Sequence, residues 1–325
     1  MSNASKNRSA LIVGISGQDG SYLADFLLKK GYEVHGTSRD AYLTNFSGLK
    51  SLGIEQEVHL HTMSSKDFRS AISMLTKIEP DEVYNLASQS SPALSFEQPV
   101  ETFESNTVGT LNLLEAIRMC QFPCKFYNAA SSEIFGPTDA PANEDAILHP
   151  SSPYAISKAS AYWNVRLYRE AYNMFSCSGI LFNHESPLRP NRFVTSKIIE
   201  GVCEIAKGKK DKLTLGNLEV FRDWGWAPEY VEAMWSIMQQ EKAEDFVIAT
   251  GKAYSLKQFL QFAFESVDLD WEKYVYSDPK FFRPSDPKII VGDPGKAEKK
   301  LGWKAKMTTP EIVKSLVQAK LNSAN

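Results

Sequence analysis

Cysteine, excess positive charge and long apolar runs are all scarce in this 325-residue chain. The four cysteines are Cys120, Cys124, Cys177 and Cys203. Cys120 and Cys124 lie four apart with no histidine or second cysteine pair nearby, which argues against zinc or any other metal. All four read as reduced thiols, so the expected compartment is the cytoplasm. The formal net charge is −3, which excludes nucleic acid or an anionic membrane as the main partner. Apolar runs such as residues 10–13 are strand-length, too short to span a bilayer. The first eight residues are polar and hold no apolar signal region. No repeat of fixed period and no low-complexity stretch is present. Apolar residues make up 43% and charged residues 23%, the usage of a folded globular chain rather than a disordered one.

What is present is an alternation. Short β-branched or aromatic runs at 10–13, 33–37, 58–61, 82–86, 125–130 and 178–182 read as buried strands. Between them, Tyr22, Leu23, Phe26 and Leu27 recur at helical spacing, as do Phe68, Ile72 and Leu75, and residues 111–119 and 154–173 read as helices. This β-α-β rhythm predicts an α/β fold, a doubly wound parallel (Rossmann) sheet with helices on both faces. Beyond residue 183 the rhythm changes. Helices are expected at 195–207, 229–240, 255–266 and 310–321, and a lone strand at 246–249 is expected to rejoin the sheet. We therefore expect a nucleotide-binding domain over 9–182, its sheet rejoined by 245–250. A smaller, mostly helical, interleaved lobe over 183–325 would take the substrate.

Gly14-Ile-Ser-Gly17-Gln18-Asp19-Gly20 directly follows the first strand and opens the first helix. A turn of this kind lets backbone N–H groups approach a pyrophosphate at the positive end of a helix. Specificity is decided near the end of the second strand. There Arg39 can hold the 2′-phosphate of NADP, whereas the neighbouring Asp40 leaves NAD as the alternative. NADP is the expected cofactor.

Tyr154 and Lys158 stand one helical turn apart just after Pro153, a residue suited to a helix start. A nearby ammonium favours the phenolate, which can take a proton from a sugar hydroxyl as hydride leaves the same carbon. Tyr276 and Lys280 have the same spacing, but Pro279 between them rules out a helix there. Ser131-Ser132-Glu133 ends the strand 125–130, where carboxyl ends of parallel strands face the ligand crevice. A hydroxyl there can bind an oxygen that becomes a carbonyl, and a carboxyl can act as acid or base.

These segments resemble the extended short-chain dehydrogenase/reductase family and, within it, the GDP-mannose 4,6-dehydratases. Further likeness lies in Asn85-Leu-Ala-Ser-Gln-Ser90, Gly179 to Pro187, Phe193-Val-Thr195 with Lys197, Arg222-Asp-Trp-Gly225, Tyr230 to Trp235 and Arg283-Pro284. The resemblance implies a redox-neutral loss of water from a GDP-sugar. Tyr154 would be the base at the C4 hydroxyl, with Lys158 as its electrostatic and ribose partner. Ser131 would polarise the C4 oxygen, and Glu133 would be the C5 base and C6 acid. Leu86, Ala87, Ser88, His184 and Arg189 would lie at the cofactor. Ser90, Ser132, Asn183, Lys197, Arg222 and Arg283 would surround the substrate. A homodimer or homotetramer follows by the same analogy, although residues 39–47 hold one arginine where well-known members carry an Arg- and Ser-rich loop.

Other readings stay open on sequence grounds. The substrate can be a related GDP-sugar such as a manno-heptose. A reductase or epimerase of nucleotide sugars shares most of these residues, as would a regulatory protein that kept the cofactor and lost turnover. Trp224 and Trp226 read equally as core aromatics or as walls for a base. The basic run 207–212 reads as a solvated helix end.

Overall fold

The computed structural model describes residues 7–138 and 140–322; the polar start read at residues 1–6 lies outside them. Its strands are β1 (Ser9–Val13), β2 (Glu33–Ser38), β3 (His59–Thr62), β4 (Glu82–Asn85), β5 (Lys125–Ser131), β6 (Ser176–Leu181), β7 (Asn183–Glu185), β8 (Leu213–Leu215), β9 (Phe221–Trp226), β10 (Phe246–Ile248), β11 (Ala253–Ser255), β12 (Val275–Ser277) and β13 (Ile289–Ile290). The helices are α1 (Gln18–Lys29), α2 (Ser47–Ser51), α3 (Phe68–Ile78), α4 (Pro92–Glu97), α5 (Pro99–Phe103), α6 (Gly109–Cys120), α7 (Pro153–Tyr172), α8 (Val194–Ala206), α9 (Ala227–Met238), α10 (Leu256–Glu265), α11 (Gly295–Leu301) and α12 (Thr309–Asn322). None of them is long and apolar enough to cross a membrane.

The main sheet has seven strands in the order β10-β6-β5-β4-β1-β2-β3. The ladders joining β3, β2, β1, β4 and β5 are all parallel, so the doubly wound fold expected from the sequence is borne out. Strand order reverses between β1 and β4, and in such sheets ligands bind beyond the carboxyl ends of the strands at that switch. Side chains alternate between faces along each strand. Leu11, Val13 and Val83 point to one face, where Leu75 of α3, Leu113 and Ile117 of α6 and Val165 of α7 bury them. Glu82, Tyr84 and Tyr127 belong to the opposite register.

The chain forms two compact units and passes between them five times. The first comprises Met1–Ser131, Ser152–Ile180 and Val231–Phe246; the second comprises Ser132–Ser151, Leu181–Tyr230 and Val247–Asn325. One crossing falls at 180/181 and another at 246/247; the remaining three lie at 131/132, 151/152 and 230/231. Most of α9, expected in the substrate lobe, belongs to the first unit for a physical reason. Trp235 Nε1 donates to Tyr32 Oη at 3.2 Å, Gln239 Nε2 to Glu82 at 3.2 Å, and Lys125 Nζ to the Met238 carbonyl at 2.6 Å. These bonds add to those that buried Glu82 accepts from Tyr32 Oη and Tyr84 Oη.

The second unit packs Ile198, Val202 and Ile205 of α8 against Phe259 and Phe264 of α10 and Ile312 and Leu316 of α12. Ser255 starts α10 with a reciprocal cap, its hydroxyl accepting from Gln258 N and the Gln258 side chain accepting from Ser255 N. The lobe also holds strands that the sequence did not reveal. β11, β9 and β13 form a small sheet, with β7 pairing β9, and β12 pairs β8.

Candidate active site

The turn after β1 is built by glycine. Gly14 has φ +93° and passes so close to the loop after β4 that an added Cβ would sit 2.8 Å from Ala87 Cα. A Cβ on Gly20 would lie 2.6 Å from the Gly14 carbonyl oxygen, so glycine here lets α1 pack against the turn. Gly17, which caps α1, is exposed and open: a Cβ there would meet only that same oxygen, at 3.4 Å. The turn thus leaves bare backbone at a helix N-terminus beside Leu86-Ala87-Ser88, a cradle that fits a pyrophosphate. Gln18 is buried and donates to Asp19 at 2.9 Å.

Beyond β2, Arg39 is exposed and makes no hydrogen bond or ion pair among the described residues. Asp40 is already engaged, its Oδ1 accepting from Tyr42 N at 2.9 Å and Leu43 N at 3.1 Å.

The tyrosine and lysine singled out in the sequence lie on the first turns of α7. Ser152 caps this helix, its hydroxyl accepting from Ala155 N at 3.1 Å, and Pro153 opens it. Tyr154 and Lys158 are both buried, with the Lys158 Nζ 6.0 Å from the Tyr154 ring centre. Lys158 Nζ donates to the Ala129 carbonyl at 2.8 Å, which ties α7 to β5 two residues before Ser131. Burial pushes Lys158 down to about 8, opposed by the negative charge of Asp19. Ser131 closes β5 and is buried; Ser132 and Glu133 start the 3₁₀ turn Ser132–Phe135 that follows directly.

One residue that the sequence reading passed over knits this region together. Asn106 sits in a π-helical turn, Glu104–Val108, between α5 and α6. Its Oδ1 accepts from Ser88 Oγ at 2.9 Å and Gln89 N at 3.0 Å. Its Nδ2 donates to the Gln89 carbonyl at 3.2 Å and to Ser157 Oγ at 3.0 Å. Ser157 in turn donates to the Tyr154 carbonyl at 2.8 Å. The buried amide therefore links the loop of Ser88 and Ser90 to the turn that carries Tyr154 and Lys158.

In the second unit, His184 is buried on β7 with Nδ1 2.7 Å from the Phe182 carbonyl, and its ring stacks on Tyr230 at 4.6 Å. Gly225, opposite His184 on β9, leaves room for that ring, since a Cβ would lie 2.3 Å from Tyr230 Cε2. Arg189 lies over Phe193 at 3.8 Å with its Nε 3.5 Å from Glu185. Asn183 begins β7, and Lys197 is exposed on α8. Arg222 points inward: its guanidinium donates to the Pro287 carbonyl at 2.8 Å and pairs with Asp286. Arg283 is more open and lies 3.7 Å from the same carboxylate. Trp224 is a core residue packed against Phe259 at 5.0 Å, and Trp226 lies at the edge of that core. Among the described residues no group of three or more His, Cys, Asp or Glu is placed to hold a metal ion.

The sequence matches the GDP-mannose 4,6-dehydratase family over residues 11–316. The chain belongs to that family. It is 45% identical to GDP-mannose 4,6 dehydratase 1 of Arabidopsis thaliana, covering 97% of this chain and 90% of the relative. It is 42% identical to GDP-mannose 4,6-dehydratase of Vibrio cholerae, covering 98% and 95%. Solved structures share the fold at lower identity. UDP-glucose 4-epimerase of Thermotoga maritima, with UDP-glucose, gives a TM-score of 0.86 at 24% identity over 98% of this chain and 100% of the other. dTDP-glucose 4,6-dehydratase of Bacillus anthracis, in complex with NAD, gives 0.83 at 18% over 96% of each. RMD of Pseudomonas aeruginosa, complexed with NADPH, gives 0.80 at 19% over 98% of each.

Proposed function

We propose that this chain is a GDP-mannose 4,6-dehydratase, converting GDP-mannose to GDP-4-keto-6-deoxymannose with a nicotinamide cofactor. One observation carries the reading. A buried tyrosine stands one helical turn from a buried lysine of lowered proton affinity, whose ammonium is anchored to the strand that ends in Ser131, in a chain of this family. The cofactor's pyrophosphate is assigned to Gly14, Gly17, Gln18, Asp19 and Gly20, with Leu86, Ala87 and Ser88 beside it. NADP is favoured over NAD because Arg39 is unpaired and open while Asp40 is spent on its own loop. His184 and Arg189 are assigned to the cofactor's far end.

A bound nicotinamide would supply the hydride acceptor for sugar C4 and return that hydride to C6. Tyr154, favoured as phenolate by the Lys158 ammonium, removes the C4 hydroxyl proton, and Ser131 hydrogen-bonds the oxygen as it becomes a ketone. The ketone acidifies C5–H. Glu133 takes that proton and delivers it to the C6 hydroxyl, which departs as water. The proton held by Tyr154 closes the balance at C5. Ser90 and Ser132 are assigned to the sugar, and Asn183, Lys197 and Arg283 to the nucleotide. Arg222, committed to Asp286, is assigned an indirect part: it fixes the carboxylate that Arg283 shares.

Four free cysteines support a reducing, cytoplasmic setting. Apolar side chains left open on one side of α7, Trp163 and Leu167, each about half exposed, support a homodimer or homotetramer.

The test is Glu133→Gln. This variant is expected to reduce cofactor on GDP-mannose in a single turnover, seen as nicotinamide absorbance, while release of dehydrated product measured by mass spectrometry falls about 10²–10⁴-fold. Full product formation would remove Glu133 from the mechanism. Steady net oxidation of NADPH by the wild type would favour the reductase reading instead.

A further inference from the structure

Three of the chain's five histidines stand together on one face of the main sheet. His35 lies on β2, and His59 and His61 lie on β3, the edge strand. Their parallel register sets His35 against His59 and Thr37 against His61. Residues two apart on a strand share a face, so Glu33, His35, His59 and His61 all project from one side. Register of His35 with Leu11 puts that side under α3.

The rings touch one another. His35 Nδ1 is 3.1 Å from His61 Nε2. The His35 ring stacks on His59 at 4.9 Å and on His61 at 5.3 Å. One carboxylate serves the group: Glu33 Oε1 lies 3.3 Å from His35 Nε2 and 3.7 Å from His59 Nε2. Lys77, in the last turn of α3, is the cation facing His35 and His61 from the helix above. A hydrogen bond between two ring nitrogens holds one proton, because one nitrogen donates and the other accepts. A second proton there sets N–H against N–H and adds charge beside His59 and Lys77. Burial is the main reason that His35 and His61 both bind a proton less readily than an ordinary histidine. His59 and Lys77 act in the same direction, and Glu33 opposes them at His35.

β3 also pins the loop beyond β2. Met63 N donates to the Ser38 carbonyl at 2.9 Å, and Ala41 N donates to Thr62 Oγ1 at 3.0 Å. Arg39 lies between these two anchors. An edge strand has a ladder on one side only, so it can open without the rest of the sheet. We propose that the His35–His61 contact is a proton-sensitive latch, which holds β3 and the Arg39 loop closed at neutral pH and releases them in mild acid. The latch does not depend on the function proposed above; that its release lets cofactor leave rests on the assignment of Arg39 to the 2′-phosphate of NADP. Once β3 opens, both rings meet water and take protons near the ordinary value of 6.5. The open form then binds more protons than the closed form, so closure is favoured above about pH 6.5 and opening is favoured below it. Between about pH 7.5 and about pH 5.5 the open population rises about tenfold if one ring is kept neutral by closure, and about a hundredfold if both are.

The experiment is hydrogen–deuterium exchange of the full chain at those two pH values, corrected for the pH dependence of intrinsic exchange and read by mass spectrometry. In the wild type, residues 39–44 and β3 are expected to open at least about tenfold more often at the lower pH, with β4 and β5 unchanged. His35→Asn/His61→Gln keeps polar groups at both positions but cannot take up charge, and its exchange is expected to lose this response. Glu33→Gln, at an exposed position, keeps both rings and removes the group that favours a charged His35, so its response is expected to be at least as large as in the wild type. NADP release, followed by stopped-flow displacement, is expected to quicken with acid by the same factor in the wild type relative to the double variant. Acid opening without faster release refutes the cofactor assignment of Arg39 and leaves the latch standing. Equal opening of β3 at both pH values in the wild type, a full response in the double variant, or a smaller one in Glu33→Gln overturns the proposal.

Discussion

Lys158 is a charged group kept where a charge is unwelcome, and that tension can be measured. Burial lowers its affinity for a proton from the ordinary 10.5 to about 8. At about 1.4 kcal/mol per tenfold change, the folded chain holds the ammonium at a penalty of about 3 kcal/mol. The unfolded chain binds more protons than the folded one between about pH 8 and 10.5, so this penalty is complete below pH 8 and fades as pH rises through that window. Lys158→Met removes the charge and keeps most of the volume. It also leaves the Ala129 carbonyl without its donor, a loss of about 1 kcal/mol. The variant is therefore expected to be about 2 kcal/mol more stable than wild type near pH 7, an advantage that shrinks by about 2–3 kcal/mol near pH 10. Urea unfolding of both proteins at the two pH values measures this. Activity should move the other way, dropping about 10²–10⁴-fold, while the wild-type rate declines above about pH 8 as Lys158 loses its proton. A variant destabilised by the same amount at both pH values would refute the reasoning, because Lys158 would then be an ordinary packing residue.

Two further outcomes are expected. Arg39→Ala should weaken NADP binding about 10–100-fold, the worth of a charge-assisted phosphate contact, and leave NAD nearly unchanged; equal losses for the two cofactors, by equilibrium titration, would return the ribose to Asp40. Trp163→Asp with Leu167→Lys should convert the assembly to monomers in sedimentation velocity; a wild type already monomeric at micromolar concentration would dismiss an oligomer built on α7.

The parts of the fold that were legible in the sequence are those where one face repeats over many residues. The strands of the main sheet and the longer helices between them, α1, α3, α6 and α7, carry periodic signals and were located to within a few residues, whereas the short α2, α4 and α5 were not seen. The strands of the second unit were not, because two- or three-residue pieces such as β13 and β7 are too short for alternation to register. Their pairing is settled by partners far along the chain. The membership of α9 was hidden for a related reason: its amphipathic pattern says that one side is buried, not against which sheet. At the site, Tyr154, Lys158 and the glycine turn stood out because their spacing is local. The inward turn of Arg222 and the bridging amide of Asn106 were invisible, since each depends on residues tens of positions away: Asp286 for one, Ser88 and Ser157 for the other.

The repeated passage of the chain between the two units has a consequence for its biosynthesis. The outermost strand beside β6 is drawn from residues 246–248, so a nascent chain emerging from the ribosome cannot complete its first unit until two of the three segments of the second have been made. Edge strand β6 must wait unpaired on that side in the meantime, a template for association with other nascent chains. Neither half is a contiguous gene segment. An isolated fragment ending near residue 182 would lack β10, α9 with its Trp235, and Gln239 just beyond that helix, which bond Tyr32 and Glu82, and should be recovered as aggregate rather than as a folded domain.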